Sequence, residues 1–239
     1  MGFPGFRSSS SKKSLAGSRS TPTSSFASLN PDDLESHMER GRYGAFELTD
    51  AIRPSYDLQV IPRQGYRHDE YIDPESKVKI PVVLASVSRE RLFELFIDLV
   101  SCMGDVVNLV LESSHYGDEG NHRDFVRDRI EMPILLSMLY EFEDLLMNDG
   151  CTGIAIVNRS RKQEIQFDEH KLIVCYGSPM EIYERVLIKH DVYPDESMRF
   201  LTEAEHVHSS SDRFIESLES FQYRLGLDNG YHDDHHFET

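Results

Sequence analysis

The stretch IPVVLASVSRERLFELFIDLVSCMGDVVNLVL, residues 80–111, decides the expected fold. Its start is rich in β-branched side chains and predicts a buried strand, and Ser88 is placed to cap a following helix. The apolar residues of that helix recur with the 3.6-residue period, and Gly104 stands where a left-handed residue ends a helix. A second apolar strand follows at 106–111. Together these elements predict two parallel strands joined by a right-handed helical crossover.

The elements after this unit complete the predicted domain. Residues 122–148 are predicted to be helical, with Pro133 dividing a short helix from a long amphipathic one. Three short strands are predicted at 154–157, 164–167 and 172–176, and the polar turns between them favour antiparallel hairpins. Further helices are expected toward the C-terminus. The predicted fold class is therefore α/β, at the boundary with α+β, with a mixed sheet of five to six strands.

Composition divides the chain into four segments. Residues 1–30 contain no acidic residue and are rich in Ser, Thr, Gly and Pro, so they bury too little apolar surface to offset their ordering entropy and are predicted to be disordered. Residues 31–76 are expected to form a partly ordered linker, 77–229 the α/β domain, and 230–239 a flexible tail rich in His and Asp. The first segment also has the composition of an organellar transit peptide, but a simple tail is favoured because its apolar residues form no amphipathic stripe.

Charge and cysteine content limit the partners and the compartment. The chain carries a net charge of −17, and residues 78–229 alone contain 28 acidic and 15 basic residues. Such a domain repels phosphate groups, so neither nucleic acid nor a membrane is an expected partner. No apolar run reaches the roughly 18 residues that a membrane span needs. The three cysteines show no metal-ligand spacing, and they predict reduced thiols in a soluble, cytoplasmic protein.

The motifs of several enzyme classes are missing from the sequence. It contains no G-x-G-x-x-G, P-loop, G-x-S-x-G or H-E-x-x-H pattern, and no cofactor is predicted. Cys175 precedes Gly177 and Ser178, where a nucleophile could stand at the start of a helix. Its position within an apolar run favours a buried structural thiol instead.

Two polar clusters are candidates for chemistry. Glu112 and His115 follow a predicted buried strand and precede a Gly-containing loop, which would suit acid–base catalysis. The alternative is that they only end the strand and hydrogen-bond the loop. His206 and His208 project to the same side of an extended segment and could supply half of a metal site, but no third ligand stands at a diagnostic spacing.

A basic hairpin tip contrasts with the acidic domain around it. Arg159, Arg161 and Lys162 could dock a carboxylate or phosphate group of a partner, or they could only solvate the turn. The favoured function is a non-catalytic interaction or regulatory module that binds another protein through this tip and the acidic helix around 141–144. Whether the protein is an enzyme stays open. The alternative is a small metal-dependent or acid–base hydrolase that uses Glu112, His115, His206 and His208.

Overall fold

A computed structural model describes residues 24–74, 76–115 and 122–229. Residues 1–23 of the predicted N-terminal arm and the predicted tail at 230–239 lie outside the described residues. The described helices are α1 (Pro31–Met38), α2 (Arg89–Ser101), α3 (Met132–Glu141), α4 (Glu143–Asn148), α5 (Glu181–Lys189) and α6 (Asp212–Leu225), with a 3-10 turn at Leu201–Glu203. The described strands are β1 (Arg42–Tyr43), β2 (Phe46–Glu47), β3 (Ile52–Pro54), β4 (Gly65–Ile72), β5 (Lys79–Ser86), β6 (Val106–Ser113), β7 (Arg123–Glu131), β8 (Thr152–Asn158), β9 (Gln163–Phe167), β10 (Ile173–Tyr176), β11 (His206–His208) and β12 (Asp228–Asn229).

Eight of the described strands form one sheet in the order β12-β7-β6-β8-β9-β10-β5-β4, and every neighbouring pair in it is antiparallel. The predicted mixed sheet with a parallel start is therefore wrong. β5 and β6 do run in the same direction, but β8, β9 and β10 lie between them. Helix α2 has 13 residues and spans about 20 Å. That length is close to the four inter-strand steps of about 4.8 Å between β5 and β6.

The helix predicted before Pro133 is wrong, because this segment is the strand β7. A break in the alternation of buried residues along β7 explains the error. Val107 of β6 faces Ile130, whereas Leu109 faces Arg127, so β7 carries one extra residue in a β-bulge. Arg129 in the bulge has a φ of 56°, and its amide donates to the side chain of Asn108. A bulge breaks the period of two along a strand. The spacing of the buried residues then no longer identifies a strand in the sequence.

Five helices, α2 to α6, bury one face of the large sheet. Their inward residues and those of β5 to β10 form a single apolar cluster. Aromatic pairs lie within it: the ring of Phe96 is 5.1 Å from that of Phe167 on β9, and Phe142 stacks on Phe221 at 4.6 Å. Burial of this cluster is the main contribution to the stability of the fold.

The opposite face of the sheet is covered over only part of its width. Met198 and Phe200, in the segment after α5, pack against Val82 of β5 and Val174 of β10. Toward β8, β6 and β7 no such layer is found among the described residues, and a cleft opens there. In the described part of the chain, the antiparallel sheet thus has one buried face and one face that is half open.

The segment predicted as a linker supplies both a sheet edge and a small second sheet. β4 pairs along the whole of β5. β3 pairs with β11, and Arg53 of β3 is buried, with its guanidinium donating to three main-chain carbonyl groups. None of the helices in the described part of the chain has the length and apolarity needed to span a membrane.

Gly150 allows the small sheet to approach the large one closely. A Cβ atom at this position would lie 2.3 Å from the carbonyl oxygen of Ala51 and 2.8 Å from that of Ser209. The Gly150 amide donates to Ser209, and the Ser209 amide donates to Ala51. This three-way main-chain contact holds the residues after β11 against the start of β8.

Leu139 on α3 tests the importance of the helical layer. Its side chain is fully buried in the main cluster, so Leu139→Ala should lower the free energy of unfolding by ~2–5 kcal/mol. Ile134 lies on the same helix with 53% exposure, and Ile134→Ala should change it by less than about 1 kcal/mol. Chemical denaturation of the two variants measures the difference. Equal midpoints would show that α3 does not anchor the core.

Candidate functional site

The cleft on the half-open sheet face has a volume of about 210 Å³. Its floor follows from the strand register, because alternate residues of each strand face the same side. Val110 of β6, Ala155 and Val157 of β8, and Val126 of β7 form the apolar part. The polar groups that line it are Asn108, Glu112, Asp124, Asn158, Arg159, Lys162, Gln163, Glu164 and Tyr176.

Glu112 has the most perturbed carboxyl group in the cleft. Burial, followed by the negative charges of Asp124 and Glu164, raises its pKa to about 7. Asp124 faces it from β7, and on its other side Gly153 of β8 carries no side chain. Within the described residues no hydrogen bond to the Glu112 carboxyl group is found. The apolar cleft therefore contains a carboxyl group that is ionised for only part of the time at neutral pH.

A second carboxyl group lies diagonally across the cleft floor. Glu164 of β9 is 7% exposed, and burial raises its pKa although it accepts a hydrogen bond from the amide of Gln166 at 2.6 Å. The phenol of Tyr176 lies 3.5 Å from the Gln166 side-chain oxygen. Burial raises the pKa of Tyr176 as well, so this group stays neutral and can donate a hydrogen bond.

The basic hairpin tip is divided between two environments. Arg159 and Lys162 line the cleft at the β8–β9 turn. Arg159 forms an ion pair with Asp128 at 3.0 Å. Arg161 points to the end of α2 instead, where it donates to the carbonyl oxygen of Cys102 at 3.0 Å. Two of the three predicted partner-binding residues therefore belong to the cleft.

The histidines predicted as half of a metal site meet a third histidine. His206 and His208 lie on β11, and His170 lies in the turn between β9 and β10. The three ring centroids are separated by 4.7 to 5.1 Å, and one nitrogen from each ring lies within 4.8 Å of the others. The sequence gives no sign that His170 joins this pair, because it lies 36 positions before His206.

Neither Glu112 nor His115 belongs to this histidine cluster. The Nε2 atom of His115 donates to the Asp149 carboxylate at 2.7 Å. Cys151 lies beside them, and one possible ligand atom of each residue lies within 4.8 Å of the others. Asp149 is fully buried. Burial raises the pKa of Asp149, but hydrogen bonds from His115, Ser210 and Thr152 lower it by more than burial raises it. The pKa of Asp149 therefore lies below its ordinary value. Asp149 thus works as a buried hydrogen-bond acceptor that joins three segments of chain.

The three cysteines are unpaired thiols. Burial raises the pKa of Cys102, of Cys151 and, most strongly, of Cys175, which is completely inaccessible. A thiol needs a lowered pKa to act as a nucleophile at neutral pH. Cys175 is therefore placed as a structural thiol, and Cys151 beside His115 is not activated.

Comparison of the chain with protein-family models, with curated proteins and with solved structures finds no match. Two clusters of side chains in the described residues therefore bear on function. One is an apolar cleft with acidic groups, and the other is a group of three histidines at the end of the same sheet.

Proposed function

We propose that the protein is a non-catalytic binding module whose cleft takes a small ligand with an apolar body and a cationic group, such as a primary amine. The observation that carries this proposal is the half-buried carboxyl group of Glu112, with a pKa near 7, beside the apolar part of the cleft floor. A concave apolar surface with a few convergent polar groups is the usual form of a ligand site.

The apolar residues set the size and shape of the ligand body. Val110, Ala155 and Val157 lie side by side on two neighbouring strands and form a continuous surface. The volume of about 210 Å³ is below the roughly 300–1,000 Å³ of pockets for drug-sized molecules. A short alkyl chain or a single ring fits this space better than a peptide or a nucleotide.

The acidic residues favour a cation. The pKa of Glu112 is raised by burial and then by four other carboxyl groups: Asp124, Glu164, Asp168 and Glu169. A positive charge at that end would offset this repulsion and would complete a charge-assisted hydrogen bond to Glu112. Lys162 and Arg159 lie at the other end of the cleft, where they would repel the same cation and so orient the ligand.

A protein partner is the less favoured occupant, because the charges expected to contact it are engaged within the chain. Glu141 pairs with Arg224, and Asp144 pairs with Arg213 at 3.3 Å. We keep the cytoplasm as the proposed location. Unpaired thiols support a reducing compartment.

The second candidate function is acid–base catalysis by Glu112. A carboxyl group with a pKa near 7 can both donate and accept a proton at neutral pH. The histidines predicted to act with it lie elsewhere: His115 bonds Asp149, and His206 and His208 contact His170. This candidate therefore lacks the histidine partners expected for it and ranks second.

Three probes with the same alkyl chain test the charge preference of the cleft. We expect n-hexylamine to bind more tightly than n-hexanol, and hexanoate to bind least, because only the amine can pair with Glu112. Amide chemical shifts of β6 and β8, followed by NMR titration, give both the site and the affinity. Preference for hexanoate would show that Arg159 and Lys162 determine the ligand instead.

The pH dependence of amine binding identifies the group responsible. n-Hexylamine stays protonated, so its affinity should fall as Glu112 becomes protonated, by ~10-fold between about pH 8 and about pH 5.5. In Glu112→Gln the affinity should be low at both pH values. A pH profile that is unchanged in this variant would exclude Glu112 as the recognition group. Turnover of a bound probe that disappears in Glu112→Gln would favour the catalytic alternative.

Glu112→Gln should lower the affinity for n-hexylamine, but it should raise the stability of the folded protein at about pH 8. The pKa of Glu112 is near 7 in the folded protein, above the ordinary value of 4.5, so folding favours the protonated carboxyl group. The free energy of unfolding of the wild type should therefore fall as the pH rises from about 4.5 through about 7. At about pH 8 the glutamine variant should be more stable than wild type by about 1–3 kcal/mol. At about pH 4 the two should be equal. Chemical denaturation at both pH values measures this, with exposed Glu216→Gln on α6 as the control.

A further inference from the structure

We infer that His170, His206 and His208 form a binding site for a first-row divalent metal ion, with zinc as the best fit. The site is separate from the proposed ligand cleft, because none of the three histidines lines that cleft. Each histidine would supply one nitrogen ligand, and the remaining position would be open to water or to a ligand from solution.

The distances among the rings are close to those that zinc requires. The candidate ligand atoms all lie within 4.8 Å of one another. Nitrogen ligands about 2.0–2.1 Å from a tetrahedral zinc ion stand about 3.3 Å apart. Rotation of the three side chains would have to bring the nitrogens to that spacing. Imidazole ligands suit zinc, copper and nickel better than calcium or magnesium, which prefer oxygen.

In each of the three rings it is the Nδ1 atom that forms a hydrogen bond to a neighbouring acceptor. The Nδ1 atom of His206 lies 2.9 Å from the carbonyl oxygen of Ala204, and that of His208 lies 2.6 Å from the carbonyl oxygen of Gly150. A carbonyl oxygen can only accept, so both Nδ1 atoms carry the hydrogen. The Nδ1 atom of His170 is 3.0 Å from a carboxylate oxygen of Asp168, which accepts in the same way. In each ring Nε2 is thereby left with its lone pair available for a metal.

This pattern of outer partners is what metal-bound histidines have in proteins. The partner of each ring fixes its tautomer and raises the basicity of the coordinating nitrogen, and a carboxylate does this most strongly. Aromatic packing alone accounts for three rings in contact. It does not require every ring to use Nδ1 for its hydrogen bond and to leave Nε2 as the nitrogen for a metal. The shared use of Nδ1 is therefore the second observation, independent of distance, that supports the site.

The main chain holds the ligands in place without the metal. His206 and His208 alternate along β11 and so project to one side, and β11 is paired with β3. Gly150, which accepts from His208, is fixed by its contacts with Ala51 and Ser209. The side chain of Asp168 also accepts from the amide of Leu172, which defines the turn that carries His170.

Zinc titration tests the site in the full chain. The terminal segment contains His232, His235 and His236, which would chelate metal by themselves, so all three are replaced by alanine in the background protein. Calorimetric titration with zinc chloride should then give about one ion per chain. The melting temperature should rise with zinc concentration, because the ion binds the folded state. No saturable binding to this protein would overturn the assignment.

Single substitutions identify the ligands. His170→Asn, His206→Asn and His208→Asn should each reduce zinc affinity by more than ~100-fold, and Asp168→Asn by about 10-fold, as expected for an outer partner. His68→Ala, which removes an exposed histidine on β4, should have no effect. Circular dichroism without metal shows whether each variant folds. His170 lies in a turn, so its variant is the one expected to fold most readily if the β11 variants do not.

The neighbouring cluster of His115, Asp149 and Cys151 provides the decisive control. It is the other group of possible metal ligands in the described part of the chain. Cys151→Ser should leave zinc affinity unchanged, and the cobalt complex should show the visible absorption of nitrogen-ligated metal without a thiolate charge-transfer band. Loss of binding in Cys151→Ser, or retention of full affinity in His170→Asn, would refute the three-histidine site.

Discussion

The insertion of β8, β9 and β10 between β5 and β6 is the constraint on which both sites depend. It places β6 beside β8, so that Glu112 stands next to Gly153 and faces a floor built from two strands. It also carries the turn after β9 to the end of the sheet, where His170 meets β11. If β5 and β6 were adjacent, neither arrangement would exist.

The identities of the elements could be predicted from the sequence much better than their order. The periodicity of α2 and the polar turns between β8, β9 and β10 are local signals, and these elements are present. Strand order depends on contacts between residues far apart in the chain, for which a periodic pattern carries no information. The β7 error has a different cause, because the bulge at Arg129 shifts the alternation of buried residues within a single strand.

The same distinction between local and distant signals applies to the sites. Glu112 could be predicted as a candidate because a charged residue at the end of an apolar run is visible in the sequence. Its raised pKa could not, because that depends on Asp124 and Glu164 from neighbouring strands. His206 and His208 could be predicted to share a side, since they alternate in an extended segment. Their third member could not, because His170 reaches them only through the packing of the small sheet against the large one.

The polar groups in the cleft oppose folding unless something else occupies it. Burial raises the pKa of both Glu112 and Glu164, which means that each carboxylate is less stable there than in water. A sheet face selected only for stability would carry apolar side chains and a covering layer, as Met198 and Phe200 provide over β5 and β10. Residues that reduce stability at a concave surface are typical of sites kept for binding or chemistry.

Asp168 connects the two sites electrostatically. Its negative charge is among those that raise the pKa of Glu112, and its carboxylate accepts a hydrogen bond from His170. A cation held by His170 would offset part of that negative charge, because opposite charges attract over several ångströms in a partly buried setting. The pKa of Glu112 would then be lower, and its carboxylate form more populated at neutral pH. The proposed cleft and the proposed metal site thus share the charge of Asp168, at the turn where the inserted strands β9 and β10 meet.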